Sequence, residues 1–179
     1  MTQVGVVYGQ ALYDLAAEAG IEQELYDQLL MLDEIFYAQP DYLRLLSAVS
    51  LSRDERIGLV DDCFAGKIDA YLNNFLKLLT QRGYARSFHD CVKQYREQYN
   101  SAHNILPVRA VTCVPLSAEQ KHRLEEKLCH ITGKHAQLIN RVDPAVLGGV
   151  RLDYDGTQVD DTVASRIEAI GKLLKNTVL

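Results

Sequence analysis

His122, Cys129, His130 and His135 are of the residue types that ligate a transition metal, but their spacing does not make a ligand frame. His122 and Cys129 are seven residues apart, His130 and His135 flank a helix end, and neither a Cys-x-x-Cys nor a His-x-x-x-His pair is present. Ser87 and His89 are the nearest approach to a nucleophile and its base. Residues two apart on a helix face different ways, so the hydroxyl has no imidazole to receive its proton. The carboxylate pairs Asp61-Asp62 and Asp160-Asp161 read as caps or solvated charge. No Gly-x-x-x-x-Gly-Lys-Ser/Thr loop cradles a phosphate, so nucleotide chemistry is not expected of this chain. The residues thus offer no catalytic, cofactor-binding or metal site, and the chain does not read as an enzyme.

Composition supports a binding role of a particular kind. The 179 residues, 47% of them apolar, suffice for one domain or two small ones. A formal charge of −5 argues against a nucleic-acid binder, which needs a basic face to displace counterions. The charge is uneven: residues 1–104 carry 9 Lys+Arg against 15 Asp+Glu, and residues 105–179 carry 10 against 9. The first part therefore favours a basic or amphipathic partner. Cys63, Cys91, Cys113 and Cys129 lie 28, 22 and 16 residues apart and read as free thiols in a reducing compartment. No apolar run approaches the roughly 20 residues of a membrane span, so the expectation is a cytosolic chain held at a membrane only by a partner.

Helical spacing fills the first hundred residues. Val4, Val7, Tyr8, Ala11, Leu12, Leu15 and Ala19 make one apolar stripe, stopped by Gly20. A second helix over Glu22–Ala38 points Leu25, Leu29, Leu32 and Phe36 inward, and a short third begins at Pro40. Ser52-Arg-Asp-Glu55 is a capping box that opens a fourth helix ending near Gly66. Two more span about Asp69–Arg82 and Ala85–His103. This predicts a mainly α chain whose N-terminal part, 1–104, is a six-helix bundle.

The pattern then changes. Ile105–Val114 is β-branched and reads as a strand, and Ser117-Ala-Glu-Gln120 caps a helix with Leu124, Leu128 and Ile131 inward, ending at Gly133. Strands are expected at Ala136–Val142, Gly149–Tyr154 and Thr157–Val159, then a helix from Asp161 to Leu174. Asp143-Pro144 starts a turn, Gly148-Gly149 permits a bulge or the close approach of another backbone, and Asp155-Gly156 suits a type I′ hairpin. Residues 105–179 are thus expected to form a small α+β domain in the order β-α-β-β-α, with a short extra strand in its second hairpin.

Four segments read together: Tyr8-Gly-Gln-Ala-Leu-Tyr-Asp-Leu-Ala16, Asn74-Phe-Leu-Lys-Leu-Leu-Thr-Gln-Arg-Gly83, the run Leu138–Gly156 and Asp161-Thr-Val-Ala-Ser-Arg-Ile167. In them the chain resembles the delta subunit family of bacterial F-type ATP synthase, whose mitochondrial relative is the oligomycin-sensitivity-conferring protein. The first two are similar to the family's first and fifth helices, and the last two resemble its C-terminal signature and closing motif. Gly9 stands where the family usually has alanine, at a cost of about 1 kcal/mol in intrinsic helicity. Ala48-Val-Ser-Leu51 replaces an Asn-Pro, and Asp160-Asp161-Thr162 an Asp-Gly-Ser.

The resemblance implies a non-catalytic peripheral-stalk subunit, one copy per complex, at the cytoplasmic face of the bacterial cell membrane. It would hold the N-terminal helix of an alpha subunit in a groove formed by Tyr8, Ala11, Leu12 and Leu15 of the first helix and Asn74, Lys77, Leu78 and Gln81 of the fifth. The C-terminal domain would dock on the b subunits, with Gly148, Gly149 and Arg166 as the expected contacts. Such a brace keeps the catalytic head from turning with the rotor, so that proton-driven rotation is coupled to ATP synthesis. The residues alone also permit that these leucines fill the bundle core, or that the chain is a generic helical adaptor for an amphipathic helix.

Overall fold

The computed structural model describes residues 2–48, 50–163 and 165–167. It is mainly helical with a small four-stranded sheet in its C-terminal part, and it divides into two compact units, 1–99 and 100–179. The division falls inside the last turn of a helix rather than after it.

In the first unit lie α1 (Gln3–Ala19), α2 (Glu22–Ala38), α3 (Pro40–Leu46), α4 (Arg53–Phe64), α5 (Ala70–Arg82) and α6 (Phe88–Ala102). Their ends follow local chemistry. Thr2 and Asp69 accept hydrogen bonds from the first-turn amides of α1 and α5, and the capping box of Ser52 and Glu55 is formed at α4. Gly20 and Gly83 end α1 and α5 in the left-handed region, at φ 68° and 76°. A single 3-10 turn at Ala85–Ser87 precedes α6, so the sixth helix begins three residues later than helical spacing predicts.

Phe36 of α2, fully buried, ties this unit together. Its ring lies 4.9 Å from that of Phe88, 5.6 Å from that of Tyr42 and 5.9 Å from that of Phe64. Leu25, Leu29 and Leu32 are buried on the same helix face. Tyr95 of α6 donates its hydroxyl to the Glu22 carbonyl at 2.9 Å, satisfying a polar group that its buried ring carries inward.

The orientation of α1 departs from its sequence stripe. Its buried residues are Gly5, Gly9, Leu12 and Ala16, whereas Val7 is 58% and Leu15 50% exposed. The reason lies in the two glycines. A Cβ at Gly5 would fall 2.3 Å from Cβ of Asp90, and one at Gly9 would fall 2.5 Å from the Cys91 carbonyl oxygen. Bare backbone therefore lets α1 approach α6 closely, and the larger apolar residues are turned outward, away from that contact.

The second unit orders its strands β2-β1-β3-β4: β1 (Ile105–Thr112), β2 (His135–Val142), β3 (Val150–Tyr154) and β4 (Thr157–Asp160). α7 (Ala118–Thr132) crosses over between the parallel pair β1 and β2, while β3 runs antiparallel to both β1 and β4. Register places Val108 beside Leu138 and Ala110 beside Leu152, and these pack with Leu106 and Leu128 as the core of this unit. Ile131 does not join them: it is 75% exposed. Cys129 takes the inner place in the last turn of α7, its Sγ accepting from the Ala136 amide at 3.2 Å. The helix expected to follow is described only at Val163 and at Ser165, Arg166 and Ile167; the remainder lies outside the described residues.

Candidate partner-binding groove

Between α1 and α5 is a cavity of about 190 Å³ lined by Tyr8, Ala11, Leu12 and Leu15 from α1 and Tyr71, Asn74, Phe75 and Leu78 from α5. Each set repeats at three and four residues, so each helix contributes about two turns of one face. Leu12 and Phe75 are buried and form the floor; Leu15, Tyr71 and Leu78 are 50%, 46% and 39% exposed and form the walls. The ring of Tyr8 meets that of Tyr84, just past the C-terminal end of α5, at 5.9 Å. The two helices therefore run antiparallel, with Tyr8 at one end of the groove and Leu15 toward Tyr71 at the other. An apolar trough walled by about two turns of each helix can receive an amphipathic helix through residues at i, i+3, i+4 and i+7.

Six of the eight residues expected at the groove are brought together here; Lys77 and Gln81 are not among its lining. Lys77 turns to α4, where its Nζ stands 2.5 Å from Asp61. Asn73 also donates to Asp61, at 3.2 Å, and the lysine contact foremost holds that carboxyl below the usual carboxylate range. Lys77 follows Asn74 by three residues but lies on the α4 side of it, a distinction that helical spacing leaves open until the neighbour of α5 is known. Tyr71 and Phe75 were absent from the sequence expectation. Their signal was the stripe Tyr71, Phe75, Leu78, which continues the spacing of the residues that were named.

In the second unit, Gly148 and Gly149 pack against residues 161–163, and Arg166 lies just beyond them. A Cβ at Gly149, where φ is 80°, would fall 2.3 Å from the Asp161 carbonyl oxygen, so only glycine lets the two backbones approach. Val163 donates its amide to the Gly148 carbonyl at 2.9 Å, and Arg166 Nε donates to Asp161 Oδ1 at 3.0 Å. Beside them stand three exposed apolar side chains, Leu147 at 66%, Val163 at 42% and Ile167 at 58%. Leu147 holds φ at 63°, which is rare for a residue with a side chain.

The residues considered for chemistry are spread apart. His89 pairs through Nδ1 with Asp33 of α2 at 2.5 Å, His122 with Glu126 at 3.3 Å, and Asp160 accepts from the Thr162 amide at 3.0 Å. No group of three His, Cys, Asp or Glu is placed to hold a metal ion among the described residues, and no described helix is long and apolar enough to cross a membrane.

The family model for the ATP synthase delta (OSCP) subunit matches residues 4–174. The chain belongs to this family. It is 28% identical over 172 residues to ATP synthase subunit delta of Desulfitobacterium hafniense, covering 94% of each chain, and 30% identical over 168 residues to that of Moorella thermoacetica, again covering 94% of each. Among solved structures, a chain in the cryo-electron microscopy structure of the Toxoplasma gondii mitochondrial ATP synthase hexamer superimposes with a TM-score of 0.72 at 18% identity, covering 97% of this chain and 98% of that one. The fold is thus shared where the sequence has largely diverged. Delta (OSCP) chains are non-catalytic peripheral-stalk subunits of F-type ATP synthase, the catalytic sites being on other chains, and this one is a peripheral component of that complex.

Proposed function

We propose that the groove between α1 and α5 receives the N-terminal helix of an alpha subunit, and that the second unit docks on the b subunits through the surface around Gly148, Gly149 and Arg166. The first unit then acts as a six-helix bundle seated on the catalytic head, with one copy per complex at the cytoplasmic face of the bacterial cell membrane. The single observation that carries this reading is the exposed apolar stripe of α1. A helix that buries glycine and alanine while leaving Leu15 and Val7 in solvent is arranged for a partner, because burying one such leucine contributes about 1.5–3 kcal/mol.

Ala11→Glu places a carboxylate in the trough without touching the buried face of α1. It is expected to weaken binding of an alpha-subunit N-terminal peptide by at least tenfold, about 1.4 kcal/mol, while the circular dichroism spectrum stays that of the native chain. In ATP synthase reassembled with this variant, ATP hydrolysis persists and proton pumping driven by it falls. Unchanged peptide affinity and unchanged pumping together would defeat the groove assignment. Lys77→Glu is not an equivalent probe, since it sets two carboxylates against each other at the contact of α4 with α5.

A further inference from the structure

The charges at the edges of the groove are unevenly placed. Asp14 follows Ala11 by three residues, and Glu18 follows Leu15 by three, so each carboxylate lies one turn along α1 from a residue that lines the groove, toward the Leu15 end. Both are exposed, and no cation pairs with either among the described residues; Asp14 accepts only from the neighbouring Gln10 amide at 3.1 Å. Glu18 is in the last turn of α1, which holds no basic residue. A carboxylate there opposes the negative end of the helix dipole, so helix stability alone does not account for it. On α5 the edge is different. Lys77 is neutralised by Asp61, and Asn74 and Gln81 carry no charge. Arg82, four residues past Leu78 in α5 and exposed, is a cation one turn further along that helix, toward the end where Tyr8 meets Tyr84.

We propose that this groove reads the direction of its occupant: an amphipathic helix docks with its basic end over the Asp14 and Glu18 edge and its acidic end beside Arg82. This rests on the groove being the helix-binding site, and deepens it by naming the side chains that set orientation. The apolar trough supplies most of the affinity and is indifferent to reversal, whereas unlike charges at its two ends are not. Exposed ion pairs are each weak, and two or three acting together suffice to favour one direction about tenfold. Like charges brought together in the reverse direction add to the discrimination.

The test uses the full chain and two synthetic peptides of about 20 residues with one leucine stripe. One carries lysines in its first third and glutamates in its last; the other has the two exchanged. Each bears a nitroxide at its N-terminus. The first is expected to broaden amide resonances near Leu15 and Tyr71, the second those near Tyr8 and Tyr84. In Asp14→Asn/Glu18→Gln, affinity for both falls about tenfold at low salt, the end-specific broadening is lost, and about 0.5 M salt reduces the difference from native protein. Broadening at the same end by both peptides, or unaltered affinity in the double variant, overturns the orientation proposal and leaves the groove standing. Failure of both peptides to bind overturns the groove reading as well, and binding of only one overturns the orientation proposal, which expects each to dock in its own direction.

Discussion

Gly9 shows how a residue that weakens its own helix can be required by the packing of that helix. As a helical glycine it costs about 1 kcal/mol relative to alanine, and on local propensity alone Gly9→Ala would stabilise the chain. The contact with α6 reverses that sign, because the added methyl would meet the Cys91 carbonyl oxygen at 2.5 Å and Cβ of Gln94 at 2.7 Å. The first of these is backbone and does not rotate aside. Gly9→Ala is therefore expected to destabilise the first unit by about 1–3 kcal/mol despite its better helicity, measured as a lower urea midpoint with an unaltered slope. A midpoint that rises would show that α1 and α6 separate at little cost. The substitution would also reach the proposed docking site, since tilting α1 away from α6 would move Tyr8 and Leu12, which line the groove on the adjoining face.

At the scale of elements, helix ends and strands were legible because each is specified by residues near in sequence: the capping boxes at Ser52 and Ser117, the terminal glycines Gly20, Gly83 and Gly133, and the turn of Asp155 and Gly156 at φ 48° and 74° all act over a few residues. What spacing left undecided was which way a face points once neighbours are chosen. The stripe of α1 was visible, but its assignment to a groove rather than the core depended on Gly5 and Gly9 meeting a helix some eighty residues away. The same ambiguity hid the partner of Lys77. That contact makes a pH prediction at the joint of α4 and α5. Asp61 has its pKa lowered by Lys77, so the stabilisation is present above the ordinary carboxylate value and is lost as pH falls through the depressed one. Thermal stability of native protein is expected to decline from about pH 4 downward, and Asp61→Asn should flatten that decline while lowering stability near pH 7. A variant whose acid profile matches the native one would remove Asp61 from this role.

A stator is loaded from both ends, so what matters for the whole molecule is that each unit resists deformation through a core of its own. The structure supplies two: the aromatic assembly around Phe36 in the first unit, and in the second the apolar set of Leu106, Val108, Ala110, Leu128, Leu138 and Leu152. Tyrosines give a convenient way to tell them apart, because nine of the ten lie at or before Tyr99 and the chain has no tryptophan. Leu128 is 5% exposed and is the side chain of α7 most deeply set against the sheet. Leu128→Ala is expected to cost the second unit about 2–5 kcal/mol, the usual range for a buried leucine truncated without full collapse of the cavity. Amide exchange in β1 should accelerate accordingly, while the unfolding transition followed by tyrosine fluorescence stays where it is. If the two units dock as proposed, the variant in reassembled ATP synthase should still bind the alpha-subunit peptide with native affinity, because the groove belongs to the other unit, but it should lose grip on the b subunits and with it the coupling of hydrolysis to pumping. Loss of peptide binding instead would mean that the two cores do not stand separately, and would count against the proposed division of labour between head and stalk.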